Sequence, residues 1–347
     1  MSRRLYLLLP LAAFLAMLAL AALAPPLAAV LDLALPFFGI IGLGWFCGKL
    51  LDIPEEGLRW MNFFAIYVAL PALFFMLVSQ TPFAELSNVG FIATTTLSTY
   101  IVYTLSFGVG LWATGGDIRQ AAIAALAGAY SNFGYMGPAL ALGAFGPGAA
   151  APTALIFMFD NILFFSLTPF LMAAGSAEAM HPLATAWIVV KRIATSPFIL
   201  ATLFGVLSAY LQLRPPVAVQ KMLGLLQGAA APAALFVMGV TVALRPLRRV
   251  ATELPALMAL KLVVHPLLAW LLLSLTGDYG AVWTFAAVLM AALPPALNVF
   301  VLATQNGVYV ERASSAVLLG TVASVVTVTA LLYVVTHGLA PYNLFAR

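Results

Sequence analysis

Apolar residues in this chain come in long unbroken runs rather than in the alternation of a half-buried strand or the one-sided stripe of a surface helix. Cut at proline, glycine and charged punctuation, they predict helices near residues 5–24, 33–51, 61–79, 89–113, 120–144, 152–174, 195–213, 222–244, 254–275, 281–304 and 313–336. Each run approaches the ~20 residues that span the hydrocarbon of a bilayer. Lipid offers no partner to backbone N–H and C=O groups, so runs of this length are expected as α-helices.

Composition removes the competing classes. Of 347 residues 64% are hydrophobic and 7% charged, against about 25% charged in an ordinary soluble domain. A water-exposed surface cannot be built from that supply, which excludes a soluble enzyme, a nucleic-acid partner and a disordered scaffold. The expectation is an all-α polytopic membrane protein in a bacterial-type inner membrane, with the lipid bilayer as its surroundings.

The net charge of +4 carries orientation. With a cytoplasmic N-terminus and an outside C-terminus, inward segments carry Arg3, Arg4, Lys49, Arg59, Arg119, Lys191, Arg192, Arg245, Arg248, Arg249 and Arg312. Outward segments then hold Arg214, Lys221 and Arg347, a bias that follows the positive-inside rule. Residues 1–29 read as an extra N-terminal helix, its apolar run being longer than a signal-peptide core, or as a signal-like segment that is cleaved. Ten helices follow in either case, five in residues 30–174 and five in 195–347, joined by a cytoplasmic connecting loop at 175–194. Two odd-numbered halves joined on one side must run in opposite orientation, which is the arithmetic of an inverted repeat.

In each half the fourth helix is interrupted. The first break reads Ser131-Asn132-Phe133-Gly134-Tyr135-Met136-Gly137-Pro138, the second Leu293-Pro294-Pro295-Ala296-Leu297-Asn298. Proline removes a donor and glycine weakens a helix, and an unwound backbone at membrane depth is tolerated where it is buried in protein or lines a wet cavity. An offset of 160 places Gly134 over Pro294 and Pro138 over Asn298. Matching interruptions point to a transport site, because half-helix N-termini suit a carboxylate; the plainer reading is a pair of kinks. Asn132 and Asn298 supply amides for an anion or for a neighbouring helix, and Asn161 is open between the same two roles.

The stretches Tyr67-Val68-Ala69-Leu70-Pro71-Ala72-Leu73-Phe74, Ser131 to Pro138, Phe159-Asp160-Asn161-Ile162-Leu163, Leu293 to Ala303 and Ala313-Ser314-Ser315-Ala316-Val317-Leu318, in that order, resemble the auxin efflux carrier family, whose bacterial members include malate and malonate permeases. The resemblance runs from about residue 30 to residue 336. It implies two inverted five-helix repeats whose discontinuous helices four and nine cross at mid-membrane, as in bile-acid symporters and sodium/proton antiporters. It implies a small organic anion as substrate, bound near the crossing by Asn132 and Asn298; Gly134, Gly137, Pro138, Asn161, Pro294 and Pro295 are the further binding-site candidates that the residues themselves offer. The extra N-terminal helix departs from the ten-helix pattern, and the long central loop of many plant carriers is missing.

Three ionisable groups fall within spans: Asp160, Lys261 and His265. A charge at the bilayer centre costs at least about 2.5–3.5 kcal/mol, so each must be paired, neutral or facing water. In the resembled fold an aspartate and a lysine flank the crossing. Asp160 and Lys261 are therefore expected as a proton-responsive pair or as compensation for half-helix dipoles, against a static ion pair; His265 either titrates near neutral pH or is a neutral histidine bonded to a carbonyl.

No cofactor, metal spacing, catalytic constellation or P-loop is evident. The function expected is a secondary transporter of small organic anions working by alternating access, coupled to protons, possessing a homodimer as a candidate assembly. The alternatives are a sodium-coupled symporter of larger amphipathic acids and, from another class, a membrane-embedded enzyme or sensor.

Overall fold

A computed structural model describes residues 25–51, 55–176, 182–244 and 251–345. The expected helix at 5–24 lies outside the described residues, as do His181 and the Arg245 to Arg249 stretch. Among the described residues the elements are helical, and five helices are long and apolar enough to cross a membrane: Gly57–Ser79, Pro147–Ala174, Val217–Leu244, Leu254–Thr276 and Val310–Thr336.

The ten remaining expected runs each coincide with a helix or a pair of helices. In chain order these are α1 (Pro25–Leu50), α2 (Glu55–Phe63) running into α3 (Leu70–Ser79), α4 (Val89–Ala113), α5 (Ile118–Ala129) and α6 (Gly137–Phe145), and α7 (Ala150–Ala174). After the middle of the chain, and after a helix α8 (Pro182–Ala194) that no expected run covers, come α9 (Pro197–Tyr210), α10 (Val217–Leu244), α11 (Leu254–Ala259) running into α12 (His265–Thr276), α13 (Gly280–Ala292) and α14 (Leu297–Asn306), and α15 (Val310–Thr336). The connection expected as a loop at 175–194 thus contains the helix α8. Its sequence, PLATAWIVVKRIA, has Leu183, Trp187, Ile188 and Val190 exposed, so apolar residues rather than polar turn chemistry fill that segment.

Two widened turns join the split helices. Residues Phe64–Ala69 and Leu260–Val264 are π-helical, and Pro71 and Pro266 stand two residues beyond them. A proline cannot donate to the carbonyl four residues back and its ring crowds that carbonyl, so the preceding turn widens instead of breaking. The second of these turns carries Lys261.

Packing sorts the helices into two groups. In one, α1 lies along α10 and α3 lies along α9 and α10. Gly44 and Gly239 make the first contact possible: a Cβ on Gly44 would stand 2.2 Å from the Phe236 carbonyl oxygen, and one on Gly239 would stand 2.1 Å from that of Ile41. In the other group α4 packs on α5, α7 and α12, α13 packs on α12, α7 and α15, and α14 packs on α15. The groups meet where α1 touches α15 and α6 and where α3 touches α7.

The ends of the second group are tied by polar contacts. Asp117 caps α5, accepting from the Arg119 and Gln120 amides at 3.0 Å each and from Gln120 Nε2 at 2.8 Å. Arg119 Nη2 donates to the Asn306 carbonyl at 3.1 Å, where α14 stops at Gly307 with φ +66°. Buried Glu253 accepts from the Tyr309 hydroxyl at 2.6 Å and from Arg312 Nη1 at 3.0 Å, which fixes the start of α15 against the start of α11.

Candidate functional site

The two interruptions meet. Asn132 N–H donates to the Pro294 carbonyl at 2.8 Å and Ala296 N–H donates to the Tyr130 carbonyl at 2.9 Å, an antiparallel bridge between Ser131 and Pro295. Each break satisfies the backbone groups that the other leaves open, which is the condition for unwound chain inside a membrane protein. Helices α5 and α13 end at this crossing, and α6 and α14 begin there. Gly320 on α15 leaves room for the Pro295 ring: a Cβ there would lie 2.4 Å from Pro295 Cδ.

Two small cavities flank the bridge, and Ser131 lines both. The first, about 20 Å³, is lined by Leu70, Tyr130, Asn132, Phe133, Gly134, Tyr135, Phe157, Asn161, Phe198, Ala296 and Asn298 along with Ser131. That volume accommodates about one water molecule, so the site is closed in this conformation. A hydrogen-bonded chain forms its polar side: Asn298 Nδ2 donates to the Tyr130 hydroxyl at 3.1 Å, which donates to Asn161 Oδ1 at 2.8 Å, and Asn161 Nδ2 donates to the Phe157 carbonyl at 2.8 Å. Asn132 Nδ2 points to the Met238 sulfur of α10 at 3.2 Å, while its Oδ1 is buried with no partner. Phe157 stacks on Phe74 at 3.7 Å and meets Phe133 and Phe198 edge-on, an aromatic wall joining the two helix groups.

The second cavity, about 10 Å³, is lined by Thr95, Ser98, Thr99, Ile156, Asp160, His265, Ala269, Ala287, Met290 and Ala291 along with Ser131. Asp160 and Lys261, expected from sequence as a proton-responsive pair, as dipole compensation or as a static ion pair, are linked here through other side chains. The connection runs through two intermediaries: Thr99 Oγ1 donates to Asp160 Oδ2 at 3.0 Å and lies 3.3 Å from His265 Nε2, and His265 Nδ1 lies 3.4 Å from Lys261 Nζ. Lys261 Nζ also donates to the Ala291 carbonyl, one of the carbonyls that the end of α13 leaves without an intrahelical partner. Asp160 Oδ1 has no partner. All three ionisable side chains are buried.

Of the residues singled out from sequence, Asn132, Gly134, Asn161 and Asn298 line the first cavity and Asp160 and His265 the second. Gly137, Pro138, Pro294 and Pro295 build the crossing instead. Gly137 admits the Met290 sulfur, which would lie 2.5 Å from a Cβ there, Pro138 sits in the first turn of α6, and the Pro294 carbonyl and Pro295 belong to the bridge. Sequence reasoning passed over Tyr130, which links two of the asparagines, and Thr99, which links the acid to the imidazole. For Thr99 a signal existed: Thr95, Ser98 and Thr99 recur at i, i+3 and i+4 in an expected membrane span and therefore share a face.

The family model described as "Membrane transport protein" matches residues 29–332. A "Putative malonate transporter" of Rhizobium meliloti (strain 1021) is 48% identical over 319 residues, 92% of this chain and the whole of that protein. An "Uncharacterized transporter" of Methanothermobacter thermautotrophicus (strain ATCC 29096 / DSM 1053 / JCM 10044 / NBRC 100330 / Delta H) is 27% identical over 291 residues, 83% of this chain and 92% of its own length. With its apolar helices and its crossed breaks, this multi-pass chain belongs to the membrane transport protein family, the auxin efflux carrier family that its motifs resemble, and is a transporter rather than an enzyme.

Proposed function

We propose that the protein is a secondary transporter of small carboxylates, malonate foremost among them, working by alternating access with proton coupling. The observation that carries this reading is the bridge of two broken helices with a cavity beside it whose wall holds Tyr130, Asn132, Asn161 and Asn298. At that point α6 and α14 begin, and the first-turn N–H groups of a helix have no intrahelical partner and carry a positive partial charge. A carboxylate is their natural counterpart. The amides of Asn132 and Asn298 and the Tyr130 hydroxyl complete a neutral, hydrogen-bonding pocket.

The sorting of helices into two groups supplies the moving parts. The α1, α3, α9 and α10 group acts as scaffold, and the group holding the crossing rocks against it, opening the closed cavity to one side and then the other. The 160-residue offset between the breaks fits two inverted repeats, with the basic loops inside and the C-terminus outside.

The second cavity supplies coupling. Asp160 Oδ1 can take a proton; Thr99, released from the carboxylate, then turns its hydroxyl to His265. Lys261 holds the end of α13, where its positive charge offsets the C-terminal dipole. Protonation at Asp160 thus changes the contact between α4 and α12 next to the crossing.

Purified protein in sealed vesicles, given a panel of mono- and dicarboxylates with and without pH and sodium gradients, tests the reading. Malonate accumulation driven by an inward proton gradient is expected. Uptake driven by sodium alone overturns the coupling, and failure to bind or move any carboxylate overturns the function.

A further inference from the structure

We propose that the cavity at the crossing takes its substrate as a singly charged species that still carries a hydrogen-bond donor, so that a dicarboxylate enters as its monoanion. This rests on the reading of that cavity as the substrate site, and it names the form in which the substrate is selected.

Charge is the first argument. No arginine, lysine or histidine lines the cavity. Its positive character comes from the start of α14, whose N-cap Ala296 and first-turn Asn298 lie on the wall; a helix start is equivalent to roughly half an elementary charge, far short of what a dianion needs. Helix α14 has ten residues, long enough for that dipole to develop. Rocking the helix groups apart enlarges the cavity without adding a cation, since the facing residues are Leu70 of α3, Phe198 of α9 and Met238 of α10. Lys261, a buried cation across the crossing, is engaged with the Ala291 carbonyl and His265 beside the other cavity. The remaining titratable groups facing this region are Tyr130 and Tyr135 on the cavity wall and Asp160 across the bridge, and a carboxylate at Asp160 would only further repel a dianion.

A hydrogen-bonding need on the same wall, independent of charge, selects the same species. The buried atom left without a partner on the cavity wall is an acceptor, Asn132 Oδ1. Its amide nitrogen faces the Met238 sulfur, itself an acceptor, and this leaves the oxygen for the ligand. A fully ionised dicarboxylate has acceptors alone and cannot satisfy that oxygen. The hydroxyl of a carboxylic acid can. The ionised end then lies against the start of α14 and the Asn298 amide, and the protonated end donates to Asn132 Oδ1.

The test compares malonate with its half-amide, which keeps one carboxylate and one donor group and does not undergo the second ionisation. Isothermal titration of both ligands into the full-length protein in lipid nanodiscs, across the pH range of that ionisation, gives their affinity ratio. Titration of Asp160 or His265 affects both ligands and cancels in the ratio. The expected result is a malonate-to-half-amide ratio that rises about tenfold per pH unit as pH falls on the alkaline side of the ionisation and levels off below it. A ratio that stays flat or rises with pH, with both ligands binding, overturns monoanion selection and leaves the carboxylate site standing. Absence of binding by either ligand overturns the site itself and this inference with it.

Discussion

Replacing Tyr130 by phenylalanine removes one oxygen from the middle of the Asn298–Tyr130–Asn161 chain and leaves the ring in place. The ring contacts, with centroids 4.5 Å from Phe164 and 5.3 Å from Phe133, survive the change, so the effect isolates the two hydrogen bonds at 3.1 and 2.8 Å. Stranding a buried donor and a buried acceptor would cost about 1–3 kcal/mol each if nothing replaced the hydroxyl. Polar contacts between membrane helices are worth less, about 0.6 kcal/mol on average and at most about 1.7. The neighbouring cavity of about 20 Å³ admits a water that can bridge the freed amides, so the smaller figures apply. Two bonds then amount to about 1–3 kcal/mol. Malonate affinity should fall by roughly 5- to 150-fold, because the Asn298 amide in the first turn of α14 is no longer held in place, and the thermal unfolding midpoint in detergent should drop with it. Titration calorimetry and a thermal melt of Y130F measure the two effects. Wild-type affinity together with a wild-type midpoint would refute the positioning role of Tyr130.

Other substitutions separate coupling from architecture. D160N should keep downhill malonate exchange while losing accumulation under a pH gradient in vesicles; full retention of the gradient dependence removes Asp160 from coupling. G239V should prevent stable assembly of α1 on α10, since the new Cβ would stand 2.1 Å from the Ile41 carbonyl, and a normal yield with an unchanged melting curve would contradict that close approach. The Asp117 carboxyl is held below its usual range, first by the Gln120 backbone N–H and then by the Gln120 side chain. Its contribution is therefore full above the unfolded value of about 3.9 and is lost as pH falls through the lower folded value. D117A should cost about 1 kcal/mol at neutral pH, with the difference from wild type vanishing in acid; an equal loss at every pH would reject the cap.

The elements were legible in sequence because the bilayer requirement writes itself in long apolar runs, and the breaks because proline and glycine cannot sit silently in them. The partners across the breaks were not. Nothing in the spacing of Asn132 and Pro294 states that their backbones pair, and Tyr130 looks like one more aromatic residue until the fold brings Asn161 and Asn298 to its hydroxyl. Asp160 and Lys261 stood out because charge in hydrocarbon is expensive, yet their connection depends on Thr99, whose hydroxyl would also be satisfied by its own helix. Helix α4 is the informative exception: 25 residues long, it falls outside the helices apolar enough to count as spans, and its buried Thr94, Thr95, Ser98 and Thr99 form the polar face turned to α7 and α12.

Ser131 lies on both cavities and at the bridge between them, which makes it the place to ask where substrate passes. With Cys47 replaced by serine, a cysteine introduced by S131C can be challenged with a membrane-impermeant thiol reagent from either face of vesicles that transport malonate. The account predicts labelling from both faces, each slowed by saturating malonate. Labelling from one face alone, or labelling that malonate leaves unchanged while transport continues, would contradict the claim that carboxylate crosses at the meeting of the two broken helices.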